Sequence, residues 1–159
     1  MPEAPEPPAT QPRPAATTND DLHRWLSEAM PGQFERLGPG QWRFFFEERP
    51  VVVVTDARAG RMRVISPVAQ GPIEPDRMQR VLEANFGTAL DARYALRDGV
   101  LWSAFIHPLP SLDRGEFYNG VAQVITLAET YGTTYSSSGL RFGPGANPPP
   151  DRAPGGLEV

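Results

Sequence analysis

The change in hydrophobic period along the chain limits the possible folds more than any other feature. Apolar residues recur at helical spacing from Leu22 to Met30 and then alternate with a period of two from Phe34 to Val68. Helical spacing returns near residue 75, followed by a second alternating stretch and a last helical one. Strands therefore come in groups rather than singly between helices. This grouping predicts an α+β fold with an antiparallel sheet, not a parallel nucleotide-binding sheet.

The predicted order is helix, three strands, helix, two strands, helix, which gives a sheet of about five strands and three helices. Thr18 and Asp21 have the spacing of a capping box at the start of the first helix, and Asp113 and Glu116 have it at the third. The dipeptide Asp98-Gly99 predicts a tight hairpin turn between the last two strands. The predicted apolar stripe of the second helix consists of Met78, Val81, Leu82 and Phe86.

Proline is concentrated at both ends of the chain. Six of the 19 prolines fall within residues 1–14 and five more within residues 144–154. Segments of this composition bury too little apolar surface to offset the entropy lost on ordering. We therefore expect disordered tails at residues 1–17 and 133–159, with one folded domain at residues 18–132.

Composition argues against several classes of function. The formal net charge is -4, and no run of arginines could follow a phosphate backbone, so nucleic acid is not an expected partner. A chain without cysteine has no disulfides, no thiol nucleophile and no cysteine zinc site. No apolar run reaches the length of a membrane span. We expect a cytoplasmic protein that binds neither membrane nor nucleic acid.

The residue types that carry chemistry are scattered along the sequence. His23 and His107 have no second metal ligand at helical spacing, so the first is expected to be solvated and the second to end a strand. The serines of "YSSSG" lie in a Gly/Ser/Thr-rich stretch that is typical of a linker. Glu47 and Glu48 are neighbours on a strand and point to opposite faces. The sequence therefore predicts no catalytic residue, no metal and no cofactor.

The predicted sheet carries apolar residues on both of its faces. In "WRFFFE", Phe44 and Phe45 point to opposite sides, and in "VLWSAFI" the even-numbered and odd-numbered residues are both apolar. A sheet with one solvated face normally alternates apolar with polar residues. Either the helices divide between the two faces, or part of one face contacts another chain. The residues expected at such a protein-binding or dimer surface are Phe45, Val53, Trp102, Ala104 and Ile106.

A set of packing and turn motifs points to a known fold. The segments "RVISPV" and "MQRVLEANFGTALDARYALRDGVLWSAFIHPLPSLDRGEFYNGVAQVITLAETYG" contain a strand, a helix ending in Leu-x-x-Asn-Phe, a hairpin and a long closing helix. This arrangement resembles the YbjN branch of the type III secretion chaperone-like fold over residues 18–132. The resemblance implies a small acidic α+β dimer that binds other proteins and has no catalytic residues. Secretion chaperones of this fold hold an extended client segment across the dimer surface.

Three hypotheses of function follow. The first is a non-enzymatic protein-binding module, chaperone-like or adaptor, that acts through an apolar sheet or helix surface and forms a homodimer through part of the sheet or the second helix. The second is a small-molecule-binding or sensor domain with a cleft between sheet and helix, which a cluster of Arg93, Asp98 and His107 would favour. The third is a dimerisation unit whose Pro-rich tails dock elsewhere as polyproline II helices.

Overall fold

A computed structural model describes residues 15–138 of the chain. It confirms the α+β fold, with three helices and six strands, one strand more than the expected five. In chain order the elements are α1 (Asn19–Ala29), β1 (Phe34–Gly38), β2 (Gln41–Phe46), β3 (Arg49–Asp56), β4 (Arg61–Gln70), α2 (Pro75–Gly87), β5 (Arg93–Arg97), β6 (Val100–Pro108) and α3 (Arg114–Glu129). A short 3₁₀ turn at Leu109–Ser111 joins β6 to α3.

All strand pairs are antiparallel, and the strands lie in the order β1-β2-β3-β4-β6-β5. The only step out of sequence order is β6, which pairs with β4 and places β5 at the edge. The β5–β6 hairpin turns through Asp98 (φ 51°) and Gly99 (φ 75°). Two successive positive φ angles match the right-handed twist of the paired strands, so the sequence prediction of a tight turn here is confirmed.

Both predicted capping boxes are present. Thr18 Oγ1 accepts a hydrogen bond from the Asp21 amide (3.2 Å), and the Asp21 carboxylate accepts one from the Thr18 amide (2.9 Å). Asp113 and Glu116 exchange the same pair of bonds at α3 (2.8 and 3.0 Å). The bonds from Thr18 stabilise the ionised carboxylate and lower the pKa of Asp21. Each box satisfies amides that the first helical turn leaves without partners.

The three helices pack on one face of the sheet and form a single core with it. The core takes side chains from all three helices and from alternate positions of the strands. In β3, for example, Val51 and Val53 are fully buried, whereas Val52 and Val54 are half-exposed. Of the two alternatives for the second face, the one in which the helices divide between the two faces is therefore wrong. Within residues 15–138, no helix covers the second face.

The predicted stripe on α2 is only half buried. Val81 and Ala84 enter the core, but Leu82 is 63% exposed and Phe86 is 98% exposed. The reason is the position of the helix at the sheet edge. The Asn85 side chain bonds both the amide (2.8 Å) and the carbonyl (3.1 Å) of Tyr94 in β5, replacing a neighbouring strand. A helix docked along an edge buries one side and leaves the other in solvent.

The packed region continues beyond Gly132, where the sequence analysis ended the domain. Tyr135 is buried, and the Ser137 amide donates to the carbonyl of Thr88 (3.1 Å). The Ser137 hydroxyl donates to the carbonyl of Ala89. The "YSSS" stretch, expected to be a linker, thus fixes the end of the chain's described part to the loop after α2. Residues 15–17 of the predicted N-terminal tail are also described, and Thr17 is fixed to the domain: its amide donates to the carbonyl of Leu109 (3.1 Å) and its hydroxyl to that of Leu112 (2.5 Å). The rest of the predicted tails, residues 1–14 and 139–159, lies outside the described residues.

A candidate protein-binding face

The side of the sheet that the helices leave uncovered, which we call the open face, is mainly apolar. The register carries one row of its side chains across the whole sheet, from Glu35 through Arg43, Val52, Ile65 and Ala104 to Arg93. Strand alternation places the other members on the same side. The open face includes Glu35, Arg43, Phe45, Val52, Val54, Arg61, Arg63, Ile65, Pro67, Arg93, Ala95, Arg97, Trp102, Ala104 and Ile106.

Four of the five predicted surface residues lie on the open face. Phe45 is 57% exposed and Ile106 is 54% exposed, Trp102 is half-buried, and Ala104 is largely covered by its neighbours. Val53 does not belong with them, because it is fully buried in the core beneath the helices.

The prediction for Val53 is wrong because it assigned the side chain to the wrong face of the strand. Val53 pairs with the buried Trp42 and Val64, which fixes its side chain on the helix side, and Val52 and Val54 occupy the open face instead. A run of four valines carries no alternation of its own. The residue that indicates which valines face the core is Trp42 in the neighbouring strand, because it is buried on the helix side and pairs with Val53.

Two shallow depressions meet at Trp102. The first, of about 450 Å³, crosses β4, β6 and β5 and is lined by Arg63, Ile65, Ala95, Arg97, Asp98, Val100, Trp102, Ala104 and Ile106. The second, of about 600 Å³, lies at the end of the sheet near the β2–β3 turn. Trp102 and Val100 line both. Trp102, the most accessible of the three tryptophans, therefore lies where the two depressions meet, whereas Trp25 and Trp42 are buried.

The charged side chains of the open face are not all paired. Arg43 Nε donates to Glu35 Oε1 (2.6 Å), and Arg97 Nε lies 3.4 Å from Asp98 Oδ2. Arg63 forms no ion pair with any residue in 15–138. Its neighbours in the register are Val54 and Ile106. Arg63 is not among the predicted surface residues, although the alternation of "RMRVI" places it on the same side as Ile65.

A third depression, of about 330 Å³, lies between β6 and the start of α3 and is a cleft of the kind that the alternative small-molecule hypothesis requires. His107 Nδ1 donates to the carbonyl of Pro108 (2.8 Å), and its Nε2 lies 3.7 Å from Glu116, whose carboxylate is used to cap α3. Arg93 lines this cleft but Asp98 lines the open face. The fold therefore does not bring together the cluster that would have favoured the alternative.

His23 is half-buried rather than fully solvated, in contrast to the prediction. Its Nδ1 accepts a hydrogen bond from the indole Nε1 of the buried Trp42 (3.2 Å), and its ring packs edge-on against Phe34 (5.4 Å). A nitrogen that accepts a bond carries no proton, so the imidazole acts here as a structural acceptor. No group of three potential metal ligands occurs within residues 15–138. Over the same residues, no helix combines the length and apolar character needed to cross a membrane.

The sequence matches no protein-family model and no curated protein. Its fold, however, is found in solved structures. One chain of the HopA1–SchA chaperone–effector complex superposes with a TM-score of 0.57 at 12% identity, covering 69% of this chain and 88% of that one.

Chains of two further complexes are similar. A chain of the ExsC–ExsE complex gives a TM-score of 0.55 at 16% identity over 72% of this chain and 93% of that one. A chain of the heterodimeric ExoU–SpcU complex of the Pseudomonas aeruginosa type III secretion system gives 0.54 at 14% identity, covering 69% and 90%. At these identities the agreement concerns the fold. The prediction of a type III secretion chaperone-like fold is confirmed.

Proposed function

We propose that this chain is a non-enzymatic, chaperone-like protein-binding module, and that its open face holds a segment of a partner protein. The observation that carries the proposal is the uncovered apolar sheet face, on which two depressions meet at Trp102. The similarity to chains from chaperone–effector complexes supports it. Within the described residues the polar groups are used for capping and packing, which gives no support to a catalytic alternative.

The energetics of the open face favour a bound segment. Burying one large apolar side chain stabilises a complex by about 1.5–3 kcal/mol, so several contacts are needed to outweigh the entropy lost on association. Phe45, Trp102 and Ile106 together offer contacts of this size along the face. The depressions on both sides of Trp102 provide places for apolar side chains of the partner.

Selection from a display library of random 12-residue peptides tests the proposal. We expect the full-length protein to enrich peptides with apolar residues at alternate positions. A Trp102→Glu variant should lose these binders, because a carboxylate at the centre of the face opposes apolar contact. Leu82→Glu places the same change on α2 and should keep them. Near-ultraviolet circular dichroism from Trp25 and Trp42 checks that each variant is folded.

Two outcomes would refute the proposal. One is that selection enriches no peptide. The other is that the folded Trp102→Glu variant retains the same peptides with the same affinity as the original protein.

We further propose that a second copy of the chain pairs through α2. Four exposed apolar residues come from α2, β5 and the loop between them: Leu82, Phe86, Leu90 and Leu96. Phe86 is almost fully solvated, which is unusual for an aromatic residue in a helix. A two-fold axis beside α2 would bring Phe86 and Leu82 of both copies together in one isologous contact. The homodimer implied by the sequence resemblance fits this surface better than the open face.

Sedimentation equilibrium tests the dimer. We expect a reversible dimer with an affinity on the order of micromolar, and a folded monomer for Phe86→Glu. Trp102→Glu is the matched control on the other surface and should still dimerise. A protein that stays monomeric at hundreds of micromolar would rule out the dimer, and a Phe86→Glu variant that still dimerises would rule out this surface.

Membership of the YbjN branch stays a prediction. It depends on the motifs in residues 63–132, whereas the structural similarity concerns the fold shared by several groups.

A further inference from the structure

We propose that the segment held by the open face is acidic and amphipathic, with a carboxylate that pairs with Arg63 and apolar side chains on both sides of it. This proposal rests on the proposed function, since it names the chemistry of the partner for the same face. It depends on the position of one arginine in the sheet.

Arg63 is an unpaired cation near the middle of an apolar surface. It lies on β4, a central strand, and its register partners on the open face are Val54 in β3 and Ile106 in β6. It also lines the depression that contains Trp102 and Ile65. Its side chain is exposed, and no described residue forms an ion pair with it.

A partner that covers the apolar residues must also cover this guanidinium. Val54 and Ile106 lie beside Arg63 in the register, and Trp102 lines the same depression, so a segment that covers these side chains also lies over the charge. A buried charge without a counter-charge strongly destabilises a complex, whereas a carboxylate placed opposite restores much of the lost hydration. The partner that fits the face therefore brings an Asp or Glu to Arg63.

Two of the chain's own acidic groups on this face already have partners: Glu35 pairs with Arg43, and Asp98 lies beside Arg97. Glu47 and Glu48 line the other depression, which Arg63 does not line. The exposed Leu82 and Phe86 of α2 offer a second copy an apolar contact that buries no unpaired charge of the open face. We therefore assign self-association to α2 and the open face to a different protein.

Two defined peptides test the proposal in full-length protein. One alternates apolar residues with glutamate, LEVEFEIEL, and the other replaces each glutamate with glutamine, both with blocked ends. Binding is followed by Trp102 fluorescence and by isothermal titration. We expect the glutamate peptide to bind about tenfold more tightly than the glutamine peptide at low salt. The preference should fall steeply toward 1 M salt, where the Debye length is about 3 Å.

Three variants assign the preference to Arg63. Arg63→Gln should bind both peptides about equally, and Arg63→Met should favour the glutamine peptide because an apolar side chain leaves no charge to satisfy. Arg114→Gln removes another exposed arginine, from the helix layer, and should keep the tenfold preference. If the original protein binds both peptides equally, or if Arg63→Gln retains the preference, this inference is wrong while the proposed function stands.

Two further outcomes would refute one or both of the proposals for the open face. If neither peptide binds and the display selection is also empty, both proposals fall together. If the peptides bind only after residues 1–14 are removed, then the chain's own segment with Glu3 and Glu6 occupies the face, and the proposal of a partner protein is overturned.

Discussion

Individual polar side chains hold the loops of this domain in place. Gln123 in α3 is the clearest case: its Oε1 accepts bonds from the amides of Asp91 (2.9 Å) and Ala92 (3.0 Å), and its Nε2 donates to the Asp91 carboxylate (3.1 Å). The side chain is buried, so it replaces water for both amides. Among the described residues, no buried side-chain nitrogen or oxygen lacks a hydrogen-bond partner. The α2–β5 loop is therefore held by Gln123 of α3 as well as by Ser137.

Replacing Gln123 with methionine should lower the free energy of unfolding by about 2–3 kcal/mol. Methionine fills a similar volume but leaves two backbone amides without their acceptor, and Ala92 is fully buried. Urea denaturation measures the loss. Gln79→Met makes the same chemical change on the exposed side of α2 and should stay within about 0.5 kcal/mol of the original protein. A Gln123→Met protein as stable as the control would show that water replaces the lost acceptor.

Between elements, the contact of α3 with β6 depends on the absence of a side chain. A Cβ atom at Gly120 would lie 2.4 Å from the ring of Phe105, which is buried and stacked on His107 (centroids 5.9 Å apart). Glycine lets the helix approach the strand closely enough for the Ser103 hydroxyl to donate to the carbonyl of Val124 (2.9 Å). This close approach sets the distance between the helix layer and the central strands.

Gly120→Ala should therefore destabilise the domain, although replacing glycine with alanine in a helix usually stabilises a protein. In an open helix interior, alanine in place of glycine stabilises by roughly 1 kcal/mol. Here the clash with Phe105 costs about 1–3 kcal/mol, so the expected sum is a net loss of up to about 2 kcal/mol. Gly115→Ala, in the same helix and without a close contact, should be neutral or stabilising. Thermal denaturation of the two variants shows whether each substitution raises or lowers the stability of the domain. A stabilised Gly120→Ala protein would contradict the packing described.

At the scale of the whole molecule, the described chain has a covered side and an uncovered side. Three helices and one core lie on the first, while the open face with Trp102 and Arg63 forms the second. The exposed residues of α2, Phe86 above all, lie at the sheet edge that Asn85 closes. These two separate surfaces differ in chemistry, so self-association and partner binding can occur together. The α2 surface is apolar, and the open face is apolar with an unpaired cation.

Residues 133–138 pack on the domain, so removing them should lower its melting temperature. A protein ending at Gly132 should melt about 10 °C below one ending at Ser138. It loses the burial of Tyr135 and the two bonds of Ser137, together about 3 kcal/mol. Differential scanning calorimetry makes the comparison. A Tyr135→Ser variant of the longer protein should reproduce a large part of the loss. Equal melting temperatures for the two proteins would show that the folded domain ends at Gly132.

Local physical chemistry allowed much of the fold to be predicted from the sequence. Capping at Thr18 and Asp113 needs only residues three positions apart, and the Asp98-Gly99 turn needs only its own two φ angles. The alternation of residues 100–106 likewise predicted which side chains of β6 share a face, and so placed Trp102 and Ile106 together. These features depend on neighbours along the chain, which the sequence lists directly.

Tertiary structure alone decided what each face contacts. The packing of all three helices on one side is a non-local choice, and it buried Val53, left Phe86 in solvent and made His23 an acceptor for Trp42. The isolation of Arg63 required the register of three strands, and the docking of Ser137 required a loop nearly 50 residues away in sequence. Apolar periodicity shows that a face is fit for burial, but the free energy of packing over the whole chain determines which faces are buried within the domain. The open face remained for a partner because the sheet has two apolar faces and the described helices cover only one.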